Sequence, residues 1–127
     1  MGVSLKELEK AMNALSESLS LFSKTPEGTS ESLAFRDACI QRFEFVVELS
    51  WKVSMKQLGS STRAAKPAIR EMAQNQLIED PHIWFNFIEA RNETSHTYDD
   101  ATAKKVFNEV EKLLPHAQSL LNKLKNL

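Results

Sequence analysis

One cysteine, three glycines and one tyrosine occur in 127 residues, and no apolar run approaches the ~20 residues that span a bilayer. Each scarcity excludes something. Cys39 has no second cysteine in the chain to bridge to, which rules out a disulfide-stapled scaffold and fits a reducing compartment. Three glycines and four prolines are too few for a collagen-like or low-complexity chain. No Gly-rich phosphate loop, Cys-x-x-Cys pair or His-Glu-x-x-His run occurs. His82, His96 and His116 lack the spacing of zinc ligands, so no metal and no cofactor are predicted. Met1 to Lys10 carries Lys6, Glu7, Glu9 and Lys10 and no apolar core, so no signal peptide is predicted. What is present, 42% hydrophobic and 26% charged residues, is enough for a core. The expectation is one cytoplasmic domain over residues 1–127, burying about two thirds of its unfolded surface.

The net charge of −1 argues against a chain that coats nucleic acid by charge alone. The charge is nevertheless segregated. Residues 51–75 carry Lys52, Lys56, Arg63, Lys66 and Arg70 against Glu71. Residues 76–101 carry Arg91 against Glu79, Asp80, Glu89, Glu93, Asp99 and Asp100. The basic segment can face a phosphate backbone or an acidic partner, or be a solvated helix face.

The apolar pattern is helical throughout. Ser4 and Glu7 form a capping box before Leu5, Leu8, Met12, Leu15, Leu19 and Phe22, a single stripe on a helix over 5–23. A second helix over 31–58 ends at Gly59 and is apolar on two faces: Ile40, Phe43, Val47, Trp51 and Leu58 on one, Phe45, Leu49 and Val53 on the other. Two apolar faces need two covers, so a partner subunit is expected beside the internal core. Pro67 suits the first position of a short helix over 67–75. Asp80-Pro81 opens a helix over 81–97, in which Ile83, Trp84, Phe85, Phe87 and Ile88 spread over about 200° of arc. Asp99 or Asp100 caps a last helix over 101–125, with Pro115 expected to kink it near Glu111. No segment alternates long enough for a strand. The predicted fold is all-α: an antiparallel four-helix bundle with one short extra helix, dimeric through parts of 31–58 and 81–97.

Most polar residues have a structural reading. Cys39 inside a helix reads as a small core residue. Glu44, Glu48 and Lys52 read as an i, i+4 ion ladder. Trp51 and Trp84 read as core anchors. One run stands apart: Arg91-Asn92-Glu93-Thr94-Ser95-His96-Thr97-Tyr98-Asp99 is densely polar, yet continues the most hydrophobic helix. On an unbroken helix Arg91, Ser95 and Tyr98 lie near one face, and Asn92 and His96 on another strip. A guanidinium grips two phosphoryl oxygens in a fork, and a histidine can move a proton near neutral pH. From the residues alone, phosphate chemistry and a helix-end hydrogen-bond network both stand.

The same residues, set as R-x4-H-x-Y, resemble the signature of the HEPN superfamily and of its HepT-like toxins. Phe43-Glu44-Phe45-Val46-Val47-Glu48-Leu49-Ser50-Trp51-Lys52 is similar to the F-E-x-x-x-E-L-x-W-K helix of the nucleotidyltransferase substrate-binding proteins. Ile69-Arg70-Glu71 resembles that family's I-R-E-A stretch, with Ala65 where the family has a proline. The similarity covers about residues 5–125. It implies a dimeric helical bundle partnered by a minimal nucleotidyltransferase. It implies one of two functions. In the first, the chain is a metal-independent RNase toxin with RNA as substrate, in which Arg91 and His96 are catalytic and Asn92, Ser95 and Tyr98 orient or contact substrate. The partner then acts as antitoxin by transferring AMP to Tyr98. In the second, the chain is a non-catalytic subunit that binds a nucleotide or substrate for the partner.

Overall fold

Ser4 sets the first boundary in the computed structural model, which describes residues 3–127. Its hydroxyl accepts the Glu7 amide at 3.2 Å and donates to the Glu7 carboxylate, also at 3.2 Å. This closes the expected box with the carboxylate on the hydroxyl. Helix α1 follows over Leu5–Ser23 and buries Leu8, Met12 and Leu15. Thr29 caps α2, Ser30–Leu58, by accepting the Ser32 amide. At its far end Gly59 takes φ 67°, and the Ser60 amide reaches back to the Met55 carbonyl at 2.9 Å, the glycine-closed helix end its position predicts.

Helix α2 is the centre of the molecule. It packs against α1, α3 (Ala65–Gln74), α4 (Pro81–Asn92) and α5 (Asp100–Lys125). That position covers most of the two-faced pattern within one chain: Phe43, Val47 and Val53 are all fully buried. Each is worth roughly 1.5–3 kcal/mol of burial. Of the residues expected on the second face, only Phe45 stays open, at 53% exposure. Ser50 and Ser54 are buried as well, and each hydroxyl donates to a carbonyl one turn back, at 2.6 and 2.7 Å. Phe87 of α4 meets Phe43 and Trp84 edge-on and joins the centres of α2 and α4.

Two boundaries differ from expectation. Helix α3 starts at Ala65, so Pro67 is its third residue; the amide that proline lacks has no intrahelical partner there. Helix α4 ends at Asn92, not 97, and a short 3₁₀ turn, Thr94–His96, follows. The cause is local. Thr94 Oγ1 donates to the Arg91 carbonyl at 2.8 Å and Thr97 Oγ1 to the Thr94 carbonyl at 3.1 Å, so side chains compete for the helix acceptors. Helix α5 continues through Pro115 without interruption; Pro115 and Glu111 are both exposed, so water can satisfy the carbonyl the proline leaves free. Among the described residues the fold is all helix and turn, an antiparallel bundle with α3 as the short extra helix. No described helix is long and apolar enough to cross a membrane.

Candidate functional site at the end of α4

Asp80 and Pro81 aim α4. The Asp80 carboxylate caps the first turn, and Trp84, Phe87 and Ile88 bury the helix on the core. The last turn therefore emerges beside the middle of α2, carrying Arg91. Its Nε donates to Glu48 Oε1 at 2.9 Å, and its Nη1 stands 4.0 Å from Glu44 Oε2. The other Glu48 oxygen faces Lys52 Nζ at 3.4 Å. Glu48 is thus shared by two cations, and Arg91 faces two carboxylates. Arg91, Glu44 and Glu48 are each about one third exposed or less, in contact with both core and water. The ladder expected along α2 forms only between Glu48 and Lys52; Glu44 and Glu48 together turn to Arg91.

Because α4 stops at Asn92, the helical offsets expected among Arg91, Ser95 and Tyr98 do not hold. Thr94 is buried and anchors the 3₁₀ turn. Asn92, Ser95 and His96 are exposed, and Tyr98 is 87% exposed. The imidazole of His96 and the phenol of Tyr98 lie edge to face with centroids 6.2 Å apart. Among the described residues no hydrogen bond joins His96 to Arg91, Asn92 or Tyr98. Asp99 then starts α5. Its carboxylate accepts the Thr102 hydroxyl at 2.8 Å and the Thr102 amide at 3.0 Å, and these bonds hold its pKa below the usual carboxylate value.

Two grooves flank this turn. One, of about 390 Å³, lies between Tyr98, Thr94 and Thr97 and the α2 residues Arg36, Ile40 and Glu44. The other, of about 360 Å³, holds His96 with Glu93, Thr102 and Lys105. The site is therefore an arginine bonded to Glu48 and facing Glu44, followed by an exposed imidazole and phenol. Among the described residues no cluster of three or more His, Cys, Asp or Glu is arranged to hold a metal. Glu44 and Glu48 are the site residues that a helix-by-helix reading passes over. Their signal is two carboxylates on one face with a single lysine to balance them.

Comparison with known proteins agrees with this architecture. Residues 3–126 match the family described as nucleotidyltransferase substrate binding protein like. A Haemophilus influenzae protein named probable ribonuclease HepT is 35% identical over 94 residues, 68% of this chain and 64% of that protein. The matched region is thus somewhat under two thirds of that relative's length. A solved Haemophilus influenzae structure, described as revealing the fold of a substrate binding domain of a nucleotidyltransferase, is 29% identical. The match covers 95% of this chain and 98% of that one with a TM-score of 0.81. A solved Thermus thermophilus structure is 27% identical over 92% of this chain and 98% of that one, with a TM-score of 0.78.

Proposed function

The chain belongs to the nucleotidyltransferase substrate binding protein like family, and from that premise we propose that it is a metal-independent endoribonuclease of the HepT-like kind. In this reading it acts in the cytoplasm as the toxin of a toxin–antitoxin pair, and a cognate minimal nucleotidyltransferase silences it by transferring AMP to Tyr98. The observation that carries the reading is Arg91, fixed by Glu48 at 2.9 Å at the end of α4, with His96 free in the next turn.

The chemistry follows from those groups. The 2′-oxygen of RNA attacks the adjacent phosphorus, and the bond from phosphorus to the 5′-oxygen breaks. His96 takes the proton of the 2′-hydroxyl or gives one to the leaving oxygen. Arg91 meets the extra negative charge on the five-coordinate phosphorus. Asn92 and Ser95, both exposed beside it, orient phosphate oxygens or the imidazole. Since the nucleophile is the RNA's own oxygen, the reaction calls for no metal. In a homodimer two such motifs border one cleft, so that one imidazole takes a proton while the other gives one.

The test is cleavage of single-stranded RNA by the purified chain in EDTA. Arg91→Ala and His96→Ala are each expected to lower the rate about a hundredfold or more while the helical signal stays intact. Cleavage that needs Mg²⁺, or none at all, overturns the reading.

One observation favours a second reading, a non-catalytic subunit that binds a nucleotide or substrate for the nucleotidyltransferase. Glu44 and Glu48 offset the Arg91 charge, which leaves it less to lend a transition state and suits it to holding a ligand. Wild-type protein that binds a nucleotide yet leaves RNA intact decides for it.

A further inference from the structure

The segment that carries Arg91 and His96 is acidic, and an acidic surface repels RNA. Binding must draw its charge from elsewhere. The basic segment over 51–75 supplies it, and the structure gathers part of it into one groove of about 570 Å³ between the end of α2 and the loop that follows. Lys52, Lys56 and Arg63 line it, with the hydroxyl-bearing Ser60 and Thr62. Both hydroxyls donate to the Glu71 carboxylate, Ser60 at 2.8 Å. Those bonds fold the loop onto α3 and occupy the one acid of that segment. Arg63 has no ion-pair partner among the described residues, and Lys56 spends one of its three donors on the Val3 carbonyl at 2.9 Å.

Trp51 also lines this groove at 7% exposure, with Lys52 Nζ 5.6 Å from its ring centroid, and the surrounding cations make the ligand that fits it an anion. Lys52 also joins the groove to the catalytic candidate, since its ammonium faces Glu48, which holds Arg91.

We propose that this groove binds the phosphodiester backbone of RNA, with Lys56 and Arg63 neutralising the backbone on its way to Arg91. The proposal deepens the ribonuclease reading and rests on it for the identity of the ligand. Backbone contacts carry no sequence information, so the groove governs affinity and salt dependence, not the choice of cleavage site.

The probe is a short fluorescent 2′-O-methylated oligouridine, which cannot be cleaved, titrated into the full chain at several salt concentrations. Replacing both Lys56→Glu and Arg63→Glu, at exposed positions, is expected to weaken binding at least tenfold. The slope of log affinity against log salt is expected to fall by about 1.4, from two lost contacts of about 0.7 each. The indole N–H resonance of Trp51, assigned by its absence in Trp51→Phe, is expected to shift on saturation, because Trp51 lines the groove. Wild-type affinity in the double variant, or a Trp51 resonance that does not move, overturns the groove. The EDTA cleavage assay is independent: RNA cut at an undiminished rate by the double variant leaves the ribonuclease reading standing and removes this one.

Discussion

Arg91 Nε and Glu48 Oε1 are 2.9 Å apart across 43 residues of sequence, and this bond sets where the guanidinium of α4 can point. The pair is only partly buried, so its stabilising value is at most about 1 kcal/mol. Its effect on the proposed cleavage is expected to be larger, because a misplacement of about 1 Å at a reacting group can cost about a hundredfold. Glu48→Ala is expected to lower kcat tenfold or more, with KM unchanged or lower, because Arg91 is freed to bind phosphate but no longer held in place. Glu48→Gln keeps an acceptor for Nε and should recover much of kcat. If both variants lose activity only in step with lost stability, Glu48 is structural and positions nothing.

Phe45 is the one large apolar side chain of the second α2 face left open, at 53% exposure, in the same turns as Glu44 and Glu48. The proposed homodimer needs such an anchor, and a contact there sets the two Arg91 sites side by side. Phe45→Glu is expected to give a monomer by light scattering with the helical signal intact, and to abolish RNA cleavage. Wild-type protein that is itself a monomer at micromolar concentration overturns this assembly.

Much of the fold was legible in the chain, and the exceptions have physical causes. Caps at Ser4, Asp80 and Asp99 and the glycine end at Gly59 follow from local rules, and each lies where the residue type predicts. The end of α4 was not legible, because the periodicity of Trp84 to Ile88 runs smoothly into Thr94. What stops the helix is the pair of threonine hydroxyls bonded to the Arg91 and Thr94 carbonyls, and a hydrophobic pattern does not register them. Nor does a pattern show which element covers which face of α2: α3 contributes buried Ala68, Ile69 and Met72 from only ten residues, which leaves Phe45 alone on the open side. The Arg91–Glu48 bond joins two helices: the surplus carboxylate on α2 signals that a cation is wanted, and neither helix alone shows which one.

Gln76 holds φ at 63°, the left-handed region, where it closes α3 with the Leu77 amide on the Met72 carbonyl at 2.9 Å. A side chain with a Cβ is strained there, and glycine is not. Gln76→Gly is expected to stabilise the fold by up to about 1 kcal/mol, less the entropy that glycine adds to the unfolded chain. Denaturant unfolding with an unchanged slope checks it, and destabilisation contradicts the strain.

Cys39 is fully buried, and burial raises its thiol pKa above the ordinary value. The thiol should resist alkylation in the native protein and react at the rate of unfolding. The sign of its pH effect follows: a raised folded pKa contributes stability that is fully present below the unfolded value, about 8.5, and is lost as pH rises through the folded one. Cys39→Ser is expected to remove that alkaline slope. Rapid labelling of native protein by iodoacetamide would contradict the burial.

Tyr98 is the most exposed of the large apolar and aromatic side chains described, at 87%, so a modifying enzyme can reach its phenol without unfolding the bundle. On an unbroken helix an AMP phosphate there would face Arg91. Since α4 ends at Asn92, the cation that lines the Tyr98 groove is Arg36 instead, 3.4 Å from Asp100, with its buried Nε 3.8 Å from Asp37 and without a hydrogen-bond partner among the described residues. The proposed AMP phosphate would be received by Arg36 in a charge-assisted pair, and its bulk beside His96, 6.2 Å away ring to ring, would shut RNA out. Incubation with the cognate nucleotidyltransferase and ATP should add an AMP-sized mass to wild type and none to Tyr98→Phe. Arg36→Ala should still accept AMP, yet remain partly active once modified, because the nucleotide is no longer held down. A mass increase that persists in Tyr98→Phe moves the modification to another residue, and full silencing of modified Arg36→Ala removes Arg36 from the lock.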